Sequence, residues 1–422
     1  MMIECRLLLR VVFLLTVTTG SGTLATTEID EKIRKLEAQL SSVHEELADL
    51  KAEHGIPEDS GKDFGSQGQV LEEKPQELPP AWINRFTLFG DFRYRHEWMD
   101  DESQVDDRNR HRIRIRAGFK AKVNDDFDVT LRLASGNNDS PTSTNQDLDE
   151  AFSSKNIWLD LAFFDCHPDA ADGLRILGGK IKNPFFRAGN SDLMFDYDVN
   201  PEGIAVTYQT TISDNLELFG VAGGFYVEER VIAADTGLWT LQGGATYTLP
   251  SVKRQYVTAG AGYFNYGNTR GRATLGSGWD GNKYSGGVYD SDFDIAQGFI
   301  EVGLPVRGLP FLVFGDYLKN TSAKSSEDTG YLFGATIGRC DKPGSWQCGY
   351  NYRDLEADAV IGALTEATFA GGGTNVKGHS LCLGVQLAKN MQFAVSCFMA
   401  ERERSDTTTD HDVVLADLKL KF

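Results

Sequence analysis

The sequence predicts an all-β fold: a transmembrane antiparallel β-barrel of about sixteen strands, preceded by a short α-helical coiled coil. Three observations carry this. From Asn84 to Phe422, apolar residues recur at every second position over stretches of about 9–11 residues, the length of a tilted membrane strand. Short polar turns and long Gly-, Asp-, Asn- and Ser-rich connections alternate between those stretches. Residues 108–116, RNRHRIRIR, place an arginine at every second position in a chain whose formal net charge is −19.

Composition agrees with a large antiparallel β structure. Gly is 44 of 422 residues against 12 Pro, and aromatics reach 11%. Beyond the N-terminus no apolar run is long enough for a transmembrane helix. A net acidic chain also argues against nucleic acid as a partner.

Residues 1–25 read as a secretory signal peptide. Arg6 and Arg10 flank a short apolar core, Val11 to Val17, and Thr23-Leu24-Ala25 supplies small residues for cleavage. Export permits disulfides. Cys340 and Cys348 bracket a Pro-Gly turn and could close a short loop there, while the disulfide pairing stays open. No cysteine spacing matches a zinc site, and neither a metal nor a cofactor is expected.

Residues 26–54 form a heptad seam, with Ile33, Leu40 and Leu47 at a and Ile29, Leu36, Val43 and Leu50 at d. Leu at a with a β-branched residue at d suits a short parallel trimer. A lone helix lying on the barrel or on a partner is the alternative. Gly55-Ile56-Pro57 stops the helix, and 55–82 is a Gly-, Pro-, Ser- and Glu-rich linker. Residues 83–422 are the expected barrel.

The first strand puts Phe86, Leu88, Phe92, Tyr94 and Trp98 on one face and Asp91, Arg93, Arg95 and Glu97 on the other. Residues 127–133 alternate in the same way. In 157–163 the expected lipid face is Ile157, Leu159, Leu161 and Phe163. The chain ends on DVVLADLKLKF, with Val414, Ala416, Leu418, Leu420 and Phe422 on one face. A last strand closing on Phe422 looks like the signal read by the outer-membrane assembly machinery.

The arginines share a face only on a strand. That face cannot meet lipid, because an arginine costs roughly 2–4 kcal/mol at the bilayer midplane. Ile113 and Ile115 therefore face lipid. Arg93, Arg95, Arg108, Arg110, Arg112, Arg114, Arg116, Lys120 and Lys122 are the candidates for lining a lumen. Asp91 and Glu97 stand close enough to pair with some of them across the hairpin. The ladder is then either a staple along the wall, or a basic track for solutes, or both. A long segment, 180–203, carries aromatics and both signs of charge. Folded inward, it would place Lys180, Lys182, Arg187, Asp192, Asp196 and Asp198 at a constriction, with its acids opposite the basic wall. An ordinary external loop is the alternative.

The stretches FGDFRYRHE, RNRHRIRIRAGFKAKVNDD, RLASGNNDSPTSTNQ, GGKIKNPF and DYDVNPEGIAVTYQ resemble the "Putative porin" family of Gram-negative-type outer membranes, whose members often carry an N-terminal coiled coil. The likeness covers most of 84–422 and is densest in 86–210. It implies an outer-membrane β-barrel porin, a passive channel for small hydrophilic solutes. It implies no defined substrate and no catalytic set. Lipid and lipopolysaccharide around the barrel, the barrel assembly machinery, and two further copies in a homotrimer are the expected partners. Two other classes compete: a structural tether of the envelope acting through the coiled coil, and a barrel enzyme. The second has little behind it. His44 and His54 lie in the helical stalk and His167 in a polar turn, and no Ser-His-Asp set is readable.

Overall fold

The computed structural model describes residues 83–137, 140–250, 255–276, 280–404 and 407–422. The expected signal peptide (1–25), coiled-coil helix (26–54) and linker (55–82) lie outside the described residues.

Among the described residues, sixteen long strands form one antiparallel sheet closed on itself. In chain order the first eight are β1 (Phe86–Asp101), β2 (Arg108–Lys122), β3 (Phe127–Ser135), β4 (Ile157–Cys166), β5 (Leu174–Lys180), β6 (Glu202–Ser213), β7 (Leu216–Glu228) and β8 (Thr236–Thr248). The remaining eight are β9 (Tyr256–Tyr266), β10 (Phe293–Val306), β11 (Leu309–Asn320), β12 (Thr329–Gly338), β13 (Trp346–Leu355), β14 (Val376–Ala388), β15 (Met391–Arg404) and β16 (Thr407–Lys421). Each strand pairs with the next, and β16 returns to β1 from Asp91↔Lys421 to Asp101↔His411. Closure leaves no open edge, so backbone donors and acceptors are satisfied within the wall.

The period-two pattern sorts side chains between the two faces of that wall. On β2, Arg112, Arg114 and Arg116 are buried inside while Ile115 is exposed outside. On β8, Trp239, Leu241 and Tyr247 point out, whereas Leu238, Thr240 and Gln242 point in. Outward aromatics gather towards the two strand ends. Tyr226, Trp239, Tyr263, Tyr317 and Tyr331 mark one end, and Phe86, Phe127, Phe164, Tyr247, Phe393 and Phe422 mark the other. These are the girdles of a membrane barrel, separated by an apolar band.

The connections at one end are 102–107, 136–156, 181–201, 229–235, 267–292, 321–328, 356–375 and 405–406. At the other end they are 123–126, 167–173, 214–215, 249–255, 307–308, 339–345 and 389–390. The expected short/long alternation holds in broad outline, but 102–107 and 229–235 are no longer than 339–345, and only two residues, 405–406, separate β15 from β16.

Two local expectations need correction. The phase expected along 157–163 breaks at Asp160. A bulge there sets one extra residue of β4 against the Arg132/Leu133 step of β3. Ile157 and Leu159 face out as expected, but Leu161 is buried, Phe163 packs on the interior core and Phe164 takes the outer position. Cys340 and Cys348 are both free thiols and close no loop.

The interior holds a large apolar cluster. Three of the long connections contribute: Ile181, Phe185, Leu193 and Phe195 from 181–201; Leu275 and Tyr289 from 267–292; and Val360, Ile361 and Phe369 from 356–375. They pack on inward residues of β7 to β13, including Phe225, Leu238, Phe264, Phe299, Phe314, Leu332 and Leu355. Phe185 lies 5.0 Å from Phe264 and Phe186 lies 4.9 Å from Phe299, centroid to centroid. Burying Phe185, Leu193 and Phe195 stabilises the inward position of their loop by on the order of 5 kcal/mol. That loop is therefore a fixed part of the interior.

Outward isoleucines and inward arginines on one strand give a direct test. Ile115→Arg should lower unfolding free energy in lipid vesicles by about 2–4 kcal/mol, read from urea titrations. Wild-type stability for this variant would contradict a lipid-facing Ile115.

Candidate functional site

The inward face of β16, β1 and β2 is a lattice of charge. Register fixes its rows. Lys421, Asp91 and Arg116 lie side by side, then Lys419, Arg93 and Arg114, then Asp417, Arg95 and Arg112, then Leu415, Glu97 and Arg110. Inward positions on neighbouring strands stand about 4.5–5.5 Å apart, so each row is a set of direct neighbours.

Most of the arginines are ion paired. Arg95 meets Asp417 through two hydrogen bonds of 2.7 and 2.9 Å, with both side chains buried. Arg114 and Arg116 share Asp91 at 2.7 and 2.8 Å. Arg110 pairs with Glu97, and Arg112 lies 3.4 Å from the same carboxylate. Asp147 adds a second partner for Arg112 at 2.6 Å and for Arg110 at 3.4 Å. It stands there because β3 ends at Ser135, short of the upper half of β2. Residues 146–147 of the next connection fill the vacated edge in register with Arg112 and Ile113. Arg108 is 60% exposed and only 3.8 Å from Asp147 at its nearest. Lys120 pairs with Asp128 at 2.8 Å, and Lys122 pairs with Asp125 in the open turn. Arg93 differs from the rest. It donates to the neutral Asn145 and has no carboxylate within ion-pair distance among the described residues.

The loop candidates divide. Lys180 ends β5 and pairs with Glu202, at the root of the loop. Arg187 and Asp192 pair with each other inside it. Asp196 accepts from Ala367 N at 3.0 Å, and its own N–H donates to Leu364 O at 2.9 Å, joining 181–201 to 356–375. Asp198 accepts from Thr144 Oγ1 at 2.9 Å and meets Arg116 at 3.2 Å. The acids expected across the lumen from the ladder are thus not ranged against it. One of them, Asp198, touches the ladder itself. Lys182 Nζ donates to Tyr197 O at 2.9 Å and lies 3.9 Å from the Tyr197 ring centroid, with Arg187 and Arg116 at 5.3 and 5.7 Å. Each is within cation–π range.

These surroundings decide the loop charges. Burial pushes the Asp198 carboxyl up, but Arg114, Arg116 and Arg93 outweigh it and hold the group below the ordinary carboxylate range. Burial pushes Asp196 well above that range, helped by Asp198 and Asp192. Burial, reinforced by Arg132, Arg116 and Arg187, lowers the Lys182 ammonium to about 8 against the pull of Asp198.

Three positions supply supports that single-strand alternation does not reveal. Arg132 and Asp160 pair at 2.5 Å because the β4 bulge turns Asp160 inward. Arg353 on β13 binds Glu366 at 2.6 Å and stacks 4.3 Å over Phe369. Gln242 clasps Phe186 through its backbone N–H (2.7 Å) and C=O (3.0 Å), holding the loop from the opposite wall. The apolar content of 356–375, with Val360, Ile361, Leu364 and Phe369, is the signal that this connection is not a solvent loop. At the seam, Phe422 and Gly90 exchange backbone hydrogen bonds of 2.9 and 3.1 Å. The Phe422 ring lies where a Cβ on residue 90 would stand, so glycine is required there.

A sixteen-stranded barrel with girdles outside, charge inside and loops folded into its lumen defines an outer-membrane β-barrel porin. The chain belongs to the family described as "Putative porin", which matches residues 98–291 and 292–422. Among solved structures it is similar to the Pseudomonas putida porin OprB, at 12% identity and a TM-score of 0.52, over 81% of this chain and 95% of that one. It is also similar to Salmonella typhi OmpF, solved in complex with daunomycin, at 14% identity and a TM-score of 0.50, over 80% and 97%. At these identities the likeness is one of fold. No curated protein matches the sequence.

The buried Arg95–Asp417 pair predicts a stability effect. Asp417→Asn leaves Arg95 without its counter-charge and should cost about 3–5 kcal/mol in unfolding titrations. Asp125→Asn, in the open turn, should leave the midpoint where it is. Equal effects of the two would contradict the lattice as a structural element.

Proposed function

We propose that the protein is a water-filled channel for passive diffusion of small hydrophilic solutes, with a preference for anions, and that its water path follows the wall β16–β1–β2–β3. The observation that carries this reading is the asymmetry of the interior. Apolar loops cover the inner face of β7 to β13, while the opposite wall keeps charge and polar donors. Water and ions follow the polar side.

The sign of the preference comes from the balance of the lattice. Seven guanidinium groups (Arg93, Arg95, Arg108, Arg110, Arg112, Arg114 and Arg116) and the ammonium groups of Lys419 and Lys421 face five carboxylates (Asp91, Glu97, Asp147, Asp198 and Asp417), leaving four positive charges in excess. Lys120 and Lys122 continue the column towards the short-turn end, each balanced by its own acid, Asp128 and Asp125. Pairing makes the ladder a staple first. The excess makes it a track as well. In the loop, Lys182 and Arg187 face the same space around Tyr197, and Asp192, Asp196 and Asp198 anchor the loop.

The reading includes partners and location. The apolar outer belt suits outer-membrane lipid and lipopolysaccharide. The terminal strand ending on outward Phe422 suits the barrel assembly machinery. A homotrimer is the assembly this class of barrel suggests. A cleaved signal peptide at 1–25 and a periplasmic coiled coil at 26–54 belong to the same reading.

Reversal potentials in a KCl gradient across planar bilayers test the reading. The wild type should favour chloride, and the triple variant Arg112→Ser, Arg114→Ser, Arg116→Ser should shift towards potassium. The preference should also weaken as pH rises through about 8, because Lys182 is charged below that value and neutral above it. Identical reversal potentials for both proteins would leave the ladder as a staple only.

A further inference from the structure

One row of the lattice is unlike the others. Lys419, Arg93 and Arg114 are direct cross-strand neighbours on β16, β1 and β2, and all three are cations. Like charges directly opposite one another destabilise a sheet. The rows on either side each contain an acid, but those acids are engaged elsewhere. Asp91 bridges Arg114 and Arg116, and Asp417 is held by Arg95. Lys419 Nζ reaches Asp417 only at 3.6 Å. Asp198, the nearest acid of the inward loop, is bound by Arg116 and Thr144. On the far side of Lys419 the neighbour is the neutral Gln392 of β15.

Arg93 sits at the centre of the row with no carboxylate within ion-pair distance among the described residues; Asp417 and Asp198 act on it only from further off. Its side chain is nine-tenths buried, one nitrogen donates to Asn145, and its Nε is buried with no hydrogen-bond partner among the described residues. A buried guanidinium donor left unsatisfied is costly. Lys419 is the exposed member, with a third of its side chain open to the lumen. A guanidinium and an ammonium on directly opposed positions match an oxyanion, which accepts several charge-assisted bonds at once.

We propose that the row Lys419–Arg93–Arg114 is a binding site for a small oxyanion, a phosphate or a carboxylate, halfway along the basic wall. The bound anion accepts from Arg93 Nε and Lys419 Nζ and neutralises the row. It enters past Lys419, which rests on the channel reading for access from the lumen. Asp198 and Asn145 border the site and limit its size.

The test is titration of the purified full chain in detergent with inorganic phosphate, followed by broadening of the phosphorus resonance, and in parallel with acetate followed by its methyl line. Saturable phosphate broadening in the wild type is expected. Lys419→Gln and Arg93→Gln should each raise the half-saturating concentration by about tenfold or more, as the loss of one charge-assisted bond requires. Lys342→Gln, in an exposed turn between β12 and β13, should leave it unchanged. Lys419→Gln alters a partly exposed side chain and keeps the test valid if Arg93→Gln does not assemble. Saturation by acetate alone would assign the site to carboxylates, and saturation by phosphate alone to phosphates. No saturation by either anion, or equal saturation in all variants, would overturn the proposal. The companion measurement is ion current through bilayers. Saturable binding without current would defeat the channel reading and leave the site standing. Current without saturable binding would do the reverse.

Discussion

The structure depends on one constraint: a strand in a bilayer cannot turn charge towards lipid. In β2 this forces five arginines to one side and leaves His111, Ile113, Ile115 and Ala117 on the other. Five cations in a column would repel one another, so the neighbouring elements supply acids. Asp91 and Glu97 come from β1, Asp417 from β16, Asp147 from the connection after β3 and Asp198 from the inward loop. The same lattice holds the seam at which the barrel closes, because β1 carries charge to both its neighbours. Ring closure, ladder and loop anchorage are thus parts of one electrostatic arrangement.

The apolar half of the interior follows from the same topology. A barrel of sixteen strands is wider than its own side chains can fill. Loops 181–201, 267–292 and 356–375 bring apolar residues into that space and pack them on β7 to β13. A chain of hydrogen bonds ties this half together: Asp316 accepts from Gln297, Gln297 accepts from Gln242, and Gln242 clasps the backbone of Phe186. In the proposed channel the water path lies along the charged wall, so its position is set as much by apolar loop packing as by the arginines.

Much of this was legible in the sequence, and the boundary of legibility has a physical cause. Strand identity, facing and the outward Phe422 follow from period two, which is strong wherever a strand has one apolar face. The β1 acids were readable because a hairpin fixes its own register. Asp198 was visible as a loop acid, but its partner was not, and the pairing of Asp147 had no signal, since loop return paths have no period. The Asp160 bulge was missed for a related reason: one inserted residue shifts the phase without changing composition. The free thiols at Cys340 and Cys348 show that spacing across a Pro-Gly turn does not establish pairing. Loop 356–375 is rich in glycine, yet its few apolar residues decide where it lies.

The central claim is that β2 divides water from lipid residue by residue, with arginines lining an open path. Thiol modification during single-channel recording tests it most directly, on Arg114→Cys and Ile115→Cys introduced separately into a cysteine-free background. A charged water-soluble thiol reagent added to the open channel should cut the current through the first variant and leave the second untouched. Equal responses at the two positions, or a response at 115 alone, would contradict the account.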